Sequence, residues 1–168
     1  MKDPYMEEIF IPFVLEHKEN MYRLAYSYVK NKEDALDIVQ DSIQKAIVAI
    51  QNKKRPEYVK SWLYRIVVNT SIDFLRKQKR VDVVDDDTLQ SYSPGTKDTY
   101  ENIDLENAMA ELPEKYRIIV ILKFFEDLKL EEIASVLDIN QNTIKTRLYK
   151  ALRMLRVTLK EEYCFQEE

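Results

Sequence analysis

The amino-acid sequence predicts an all-α protein: two small helical domains joined by a flexible acidic linker, the second carrying a helix-turn-helix. Three observations lead there. Apolar residues recur at helical spacing over nearly the whole chain, while strand-like alternation is scarce. Gly95 is the only glycine among 168 residues, and Ala, Leu, Ile, Glu and Lys fill the periodic stretches. The periodicity breaks down over residues 81–102, where Asp, Ser, Thr, Pro and the lone Gly gather as they do in linkers. The expected division is therefore 1–80, 81–102 and 103–168.

The elements follow in chain order. Tyr5 to about Lys30 forms one amphipathic region, with a break expected near Pro12. Asn31 to Gln51 reads as a second helix, with Ala35, Ile38, Val39, Ser42, Ile43, Ala46 and Ile50 along one face. Pro56 fits the first turn of a third, which runs through Trp62, Leu63, Ile66, Val67, Thr70 and Phe74 to about Lys79. Helical pattern resumes near Ile103, with segments at about 113–126, 130–138 and 141–160. Neither half is large, so each is expected to gain stability from partners.

Composition closes most routes to catalysis. One glycine permits no Gly-rich phosphate cradle. With His17 the only histidine and Cys164 the only cysteine, a Cys/His zinc cluster, a disulfide framework and an ordinary Ser-His-Asp triad all lack residues. No metal, cofactor or small-molecule substrate is expected, and neither is an enzyme. No apolar run approaches the roughly 20 residues that span a bilayer, and no secretory signal is visible, so the expected location is the cytoplasm.

The formal net charge of −4 hides strong segregation. Residues 42–80 carry a net charge of +8 and residues 139–160 a net charge of +6, each bordered by acidic segments. A single basic block is commonly a solvated helix face; two of them point to two surfaces that meet a polyanion.

The second block lies on the helix-turn-helix. Ala134 lets two helices approach, Asp138-Ile139-Asn140 makes the turn, and Asn140 suits the N-cap of the following helix. In that helix Ile144, Leu148, Ala151, Leu152 and Leu155 form the expected buried stripe. The opposite arc holds Asn142, Thr146, Tyr149 and Arg153, flanked by Lys145 and Lys150. Amides, hydroxyls and cations near a helix N-terminus suit base edges and phosphates of a major groove. In the first block, aromatic and cationic residues mix along the third helix, a combination that suits single-stranded DNA. Trp62 and Phe74 are expected in the core rather than as stacking platforms.

With both halves in view, the chain resembles the small two-domain sigma factors of bacterial RNA polymerase, the extracytoplasmic-function (ECF) group. Four pieces carry the resemblance: Tyr22-Arg-Leu-Ala-Tyr26; Asp34-Ala-Leu-Asp-Ile-Val-Gln-Asp41; Trp62-Leu-Tyr-Arg-Ile66 with Asn69 and Asp73-Phe-Leu-Arg76; and Leu112-Pro-Glu-Lys-Tyr-Arg117 leading to Glu132-Ile-Ala134 and Thr143-Ile-Lys-Thr-Arg-Leu148. Each is weak alone, and their order and spacing are specific together. Asp138 and Asn142 stand where the family commonly has glycine.

The resemblance implies that the first domain binds core polymerase and the minus-10 promoter element and the second binds the minus-35 element. It places Asp34, Asp37, Gln40 and Asp41 on the polymerase clamp helices. It assigns the loop Gln51 to Tyr58, with Lys53, Lys54, Arg55 and Tyr58, to a flipped minus-10 base, and Asn69, Arg76, Lys77, Lys79 and Arg80 to adjacent DNA. It assigns Gln141, Asn142, Thr143, Lys145, Thr146, Arg147, Tyr149, Lys150 and Arg153 to the minus-35 element. It also implies an anti-sigma protein, often membrane-anchored, and a linker that threads the polymerase cleft, although a solvated tether would have the same sequence. The alternative is a stand-alone helix-turn-helix regulator, which would need neither the acidic 34–41 face nor the basic third helix.

Overall fold

The computed structural model describes residues 2–84 and 103–166, with side chains described for 2–81 and 105–159. A wide π-helical turn, Met6–Phe10, leads into α1 (Ile11–Val29), followed by α2 (Lys32–Gln51) and α3 (Val59–Val84). The second half contains α4 (Ile103–Glu111), α5 (Glu114–Val120) with a π-helical continuation Ile121–Phe125, α6 (Leu130–Leu137) and α7 (Gln141–Gln166). No strand occurs among the described residues. The expected linker lies outside them except at 81–84, which extend α3.

Pro12 does not split the first helical region. Helix is continuous over residues 4–29, and the change from the wide turn Met6–Phe10 to α1 falls immediately before Pro12, the kind of local widening that accommodates an interior proline. Pro56 falls not in the first turn of α3 but in the loop ahead of it, three residues before the helix starts at Val59. Asn31 caps α2 by accepting the Asp34 N–H at 3.0 Å. With the only glycine outside the described residues, four other residues take left-handed backbone conformations: Lys30, Lys53, Asp127 and Asp138. Asp138, at φ 55°, closes α6 where glycine is usual, a conformation that Asp tolerates better than most side chains.

The helices α1, α2 and α3 pack mutually, and α7 is held by α4, α5 and α6. The two halves also dock on each other, α3 against α6 and α1 against α5, so one apolar cluster continues through both. Its fully buried members include Phe10, Met21, Leu24 and Leu63 from the first half and Ile119, Leu122, Leu128 and Ile144 from the second.

Polar side chains seal this junction. Glu126, with no exposed side-chain surface, accepts a hydrogen bond from the Tyr64 hydroxyl at 2.8 Å and lies 3.9 Å from the Arg23 guanidinium. Arg117, also buried, donates to the Ser27 carbonyl at 2.7 Å and to the Leu112 carbonyl at 3.1 Å. The wide turn at 121–125 ends with the Glu126 N–H on the Ile121 carbonyl, 3.0 Å away. Its five-residue spacing changes the rotational register, and Glu126 faces the first half.

Candidate nucleic-acid and polymerase interfaces

The helix-turn-helix is built as its sequence requires. Asn140 accepts the Asn142 N–H at 2.8 Å, satisfying one of the donors at the start of α7. Ile144, Leu148, Ala151 and Leu155 are buried, whereas Leu152, expected among them, is 37% exposed at the edge of the stripe. On the other side Gln141, Asn142, Lys145, Thr146, Tyr149, Lys150 and Arg153 are exposed, and Thr143 and Arg147 are half-buried. The Thr146 hydroxyl donates to the Asn142 carbonyl at 3.0 Å, which fixes its rotamer one turn above the helix start. Lys150 lies over the Tyr116 ring at 5.5 Å, tying the edge of this surface to α5. The arc thus combines an amide near the helix N-terminus with cations farther along, the arrangement that reads bases first and holds phosphates beside them.

The acidic face of α2 is a separate surface. Asp37, Gln40 and Asp41 are exposed, and Asp34 is half-buried in the first turn. Burial, and then the neighbouring charges of Asp37 and Glu33, push the Asp34 carboxyl above its ordinary range. A groove of about 280 Å³ between α2 and α3 is lined by Asp37, Ile38, Asp41, Lys45, Thr70, Asp73, Phe74 and Lys77. Lys45 bridges its walls, 3.4 Å from Asp41 and 3.2 Å from the Thr70 hydroxyl. Lys77, expected on DNA, therefore lines this mixed-charge groove. The groups suit cationic partner side chains; among the described residues no cluster of three or more His, Cys, Asp or Glu could hold a metal ion.

The third surface runs from the loop before α3 along that helix. Lys53, Lys54 and Tyr58 project outward, Tyr58 with 71% of its surface exposed, and Asn69, Arg76, Lys79 and Arg80 are exposed farther along. Trp62 and Phe74 pack against the core. Arg55 points differently from its neighbours: it donates to the Ile50 carbonyl at 2.7 Å and the Lys54 carbonyl at 2.9 Å, and pairs with Asp3.

Sequence reading missed Glu126, Arg117, Tyr64 and Arg23 as functional groups. Three of them lie inside the pieces Tyr22–Tyr26, Trp62–Ile66 and Leu112–Arg117 and hold the halves together. The available signal was an arginine or tyrosine placed amid apolar helix faces, where a buried polar group needs a partner.

Comparison with known proteins places the chain in a family. Residues 13–81 match the family described as sigma-70 region 2, and residues 103–155 match sigma-70 region 4. The chain is 53% identical over 154 residues to RNA polymerase sigma factor SigV of Bacillus subtilis (strain 168), covering 92% of this chain and 93% of that one. It is 31% identical to the ECF RNA polymerase sigma factor SigW of the same organism, covering 92% and 91%. Among solved structures, the sigma factor RpoE in complex with the anti-sigma factor NepR from Bartonella quintana superposes with a TM-score of 0.76 at 24% identity, covering 90% of this chain and 96% of that one.

Proposed function

Since this chain belongs to the sigma-70 family, as an ECF-type sigma factor that directs transcription initiation, we propose a division of labour among its three surfaces. The acidic face of α2, centred on Asp37 and Asp41, docks on basic side chains of core RNA polymerase. The loop 51–58 and the outward face of α3 engage the minus-10 element, with Tyr58, Lys53 and Lys54 facing unpaired DNA and Asn69, Arg76, Lys79 and Arg80 facing the adjoining duplex. The outward arc of α7 reads the minus-35 element in the major groove. The chain performs no chemistry itself; it selects where polymerase begins.

One observation carries this reading: a basic, amide-bearing arc on α7 stands opposite a buried apolar stripe, on a different helix from the acidic face. The separation allows polymerase and DNA to be held at once. An anti-sigma protein belongs to the same reading, since solved neighbours of this fold are complexes of that kind. Its natural targets are the same charged surfaces, whose occupation would block both polymerase and promoter. No helix among the described residues is long and apolar enough to cross a membrane.

Run-off transcription with bacterial core polymerase, with and without this chain, tests the reading. Promoter-dependent transcripts are expected only when the chain is added. Tight, sequence-specific binding of duplex DNA by the chain alone, with no effect on polymerase, would favour a stand-alone regulator.

A further inference from the structure

The first residues of the chain close over the loop 51–58. The Asp3 carboxylate accepts the Tyr5 N–H through Oδ1 at 3.0 Å and pairs with Arg55 through Oδ2. The Arg55 guanidinium lies over the Tyr5 ring, 5.2 Å from its centre. The Tyr5 hydroxyl in turn donates to the Pro56 carbonyl at 2.8 Å. Arg55 completes the ring of contacts by donating to Ile50 and Lys54 carbonyls on either side of the bend. Within that bend Lys53 takes a left-handed conformation, φ 67°, uncommon for a side chain of its kind.

An exposed ion pair adds little to stability, so this arrangement is not explained by a stabilising role for Asp3 and Arg55 alone. Its distinctive property is geometric. Two side chains from residues 3–5 hold the loop at Arg55 and Pro56, and Tyr58 emerges immediately after with most of its surface open. A loop that must receive one unpaired base gains selectivity when its groups are already placed, because the cost of ordering them is not taken from binding.

We propose that Asp3 and Tyr5 are positioning residues for minus-10 recognition, clasping the loop 51–58 through Arg55 and Pro56 so that Lys53, Lys54 and Tyr58 present a fixed surface to an unpaired base. Arg55 then serves as the strut of the loop, with its charge directed to Asp3 and to backbone carbonyls. This rests on the assignment of the loop to the minus-10 element. It adds to that assignment a part of the chain, residues 3–5, that sequence reading gave no role.

The test uses holoenzyme reconstituted from bacterial core polymerase and the full chain, with promoter libraries randomised separately in the minus-10 and minus-35 elements and sequenced transcripts as readout. Asp3→Ala and Tyr5→Phe are expected to flatten base preference in the minus-10 element severalfold while leaving minus-35 preference and core-polymerase affinity unchanged. Asp3→Glu, which keeps the carboxylate, is expected to restore part of the preference. Arg55→Ala should produce the same flattening with an unchanged salt slope of promoter binding, since its charge is not on a phosphate.

Two outcomes would overturn the clasp alone: unaltered minus-10 preference in Asp3→Ala and Tyr5→Phe, or uniformly tighter DNA binding by Asp3→Ala with a steeper salt slope, the behaviour of an Asp3 that merely masks Arg55. If wild-type holoenzyme transcribes but shows no minus-10 preference traceable to substitutions at Lys53, Lys54 or Tyr58, the loop assignment fails and the clasp falls with it.

Discussion

Glu126 is the residue whose placement departs most from what its sequence neighbourhood suggests. It follows Phe124-Phe125 at the end of a helical segment, where a carboxylate would ordinarily be left in solvent, yet its side chain is fully covered. A buried carboxylate is tolerated when hydrogen-bonded and paired, and removing one partner leaves an uncompensated charge. Tyr64→Phe is therefore expected to destabilise the chain by about 1.5–3 kcal/mol in urea unfolding, the range for a lost hydrogen bond to a charged group. Burial, and then the Glu126 charge, raise the Tyr64 hydroxyl well above its ordinary value of 10.0. The unfolded chain loses that proton first, so the contribution is complete below about pH 10 and declines as pH rises toward the folded value. Thermal midpoints measured from pH 8 upward should fall at the alkaline end, and less steeply in Tyr64→Phe. Glu126 was not legible in the sequence, because its burial depends on the wide turn at 121–125 and on a helix about sixty residues away. Asp138, by contrast, was legible as a turn residue, because the resemblance sets it where the family commonly has glycine, and it takes the left-handed conformation glycine would take.

At the scale of elements, helical periodicity located nearly every helix, and errors gathered at ends and edges. The expected start of α3 at Pro56 failed where Arg55 and Pro56 are tied to Asp3 and Tyr5 at the chain's beginning, contacts with no local signature. Leu152 fits the apolar period of α7 but stands at the margin of what α4, α5 and α6 cover. The outward arc was fully legible, since a helix fixes which residues share a face. Along it, Arg153→Ala is expected to weaken promoter binding about evenly and to lower the salt slope by roughly one phosphate's worth. Asn142→Ala and Lys145→Ala should instead change the ranking of minus-35 sequences; an unchanged ranking in all three variants would remove α7 from the major groove. On α2, the double variant Asp37→Arg with Asp41→Arg should lose co-purification with core polymerase while keeping its helical circular dichroism, because both side chains are exposed. Retained affinity would refute that face as the main contact.

At the scale of the molecule, the composition and charge blocks foretold two halves with separate basic surfaces, and they left open how the halves sit. A tether between them suggested independent motion; the structure docks α3 on α6 and α1 on α5, sealed by Glu126 and Arg117. That docking sets a limit on reach. A folded body of this size has a radius of gyration of about 15 Å and hence a diameter of roughly 40 Å. The minus-10 and minus-35 elements are centred about 25 base pairs apart, roughly 85 Å at 3.4 Å per pair. Under the proposed division of the two elements between the halves, docked halves cannot occupy both, so engagement of a whole promoter is expected to part the Tyr64–Glu126 and Arg117–Ser27 contacts. The free chain is therefore expected to bind duplex promoter DNA poorly, and to gain selectivity once polymerase separates the halves. A fluorophore pair at Glu16 on α1 and Ser135 on α6, both exposed, should report a short distance in the free chain and a long one in the holoenzyme. Variants that weaken the junction, such as Tyr64→Phe, should shift the free chain toward the long distance and lower the polymerase concentration needed for half-maximal transcription, since a larger fraction is already competent to bind. A short distance that persists in transcribing holoenzyme, or tight specific duplex binding by the docked chain, would show that one body reads the promoter without opening.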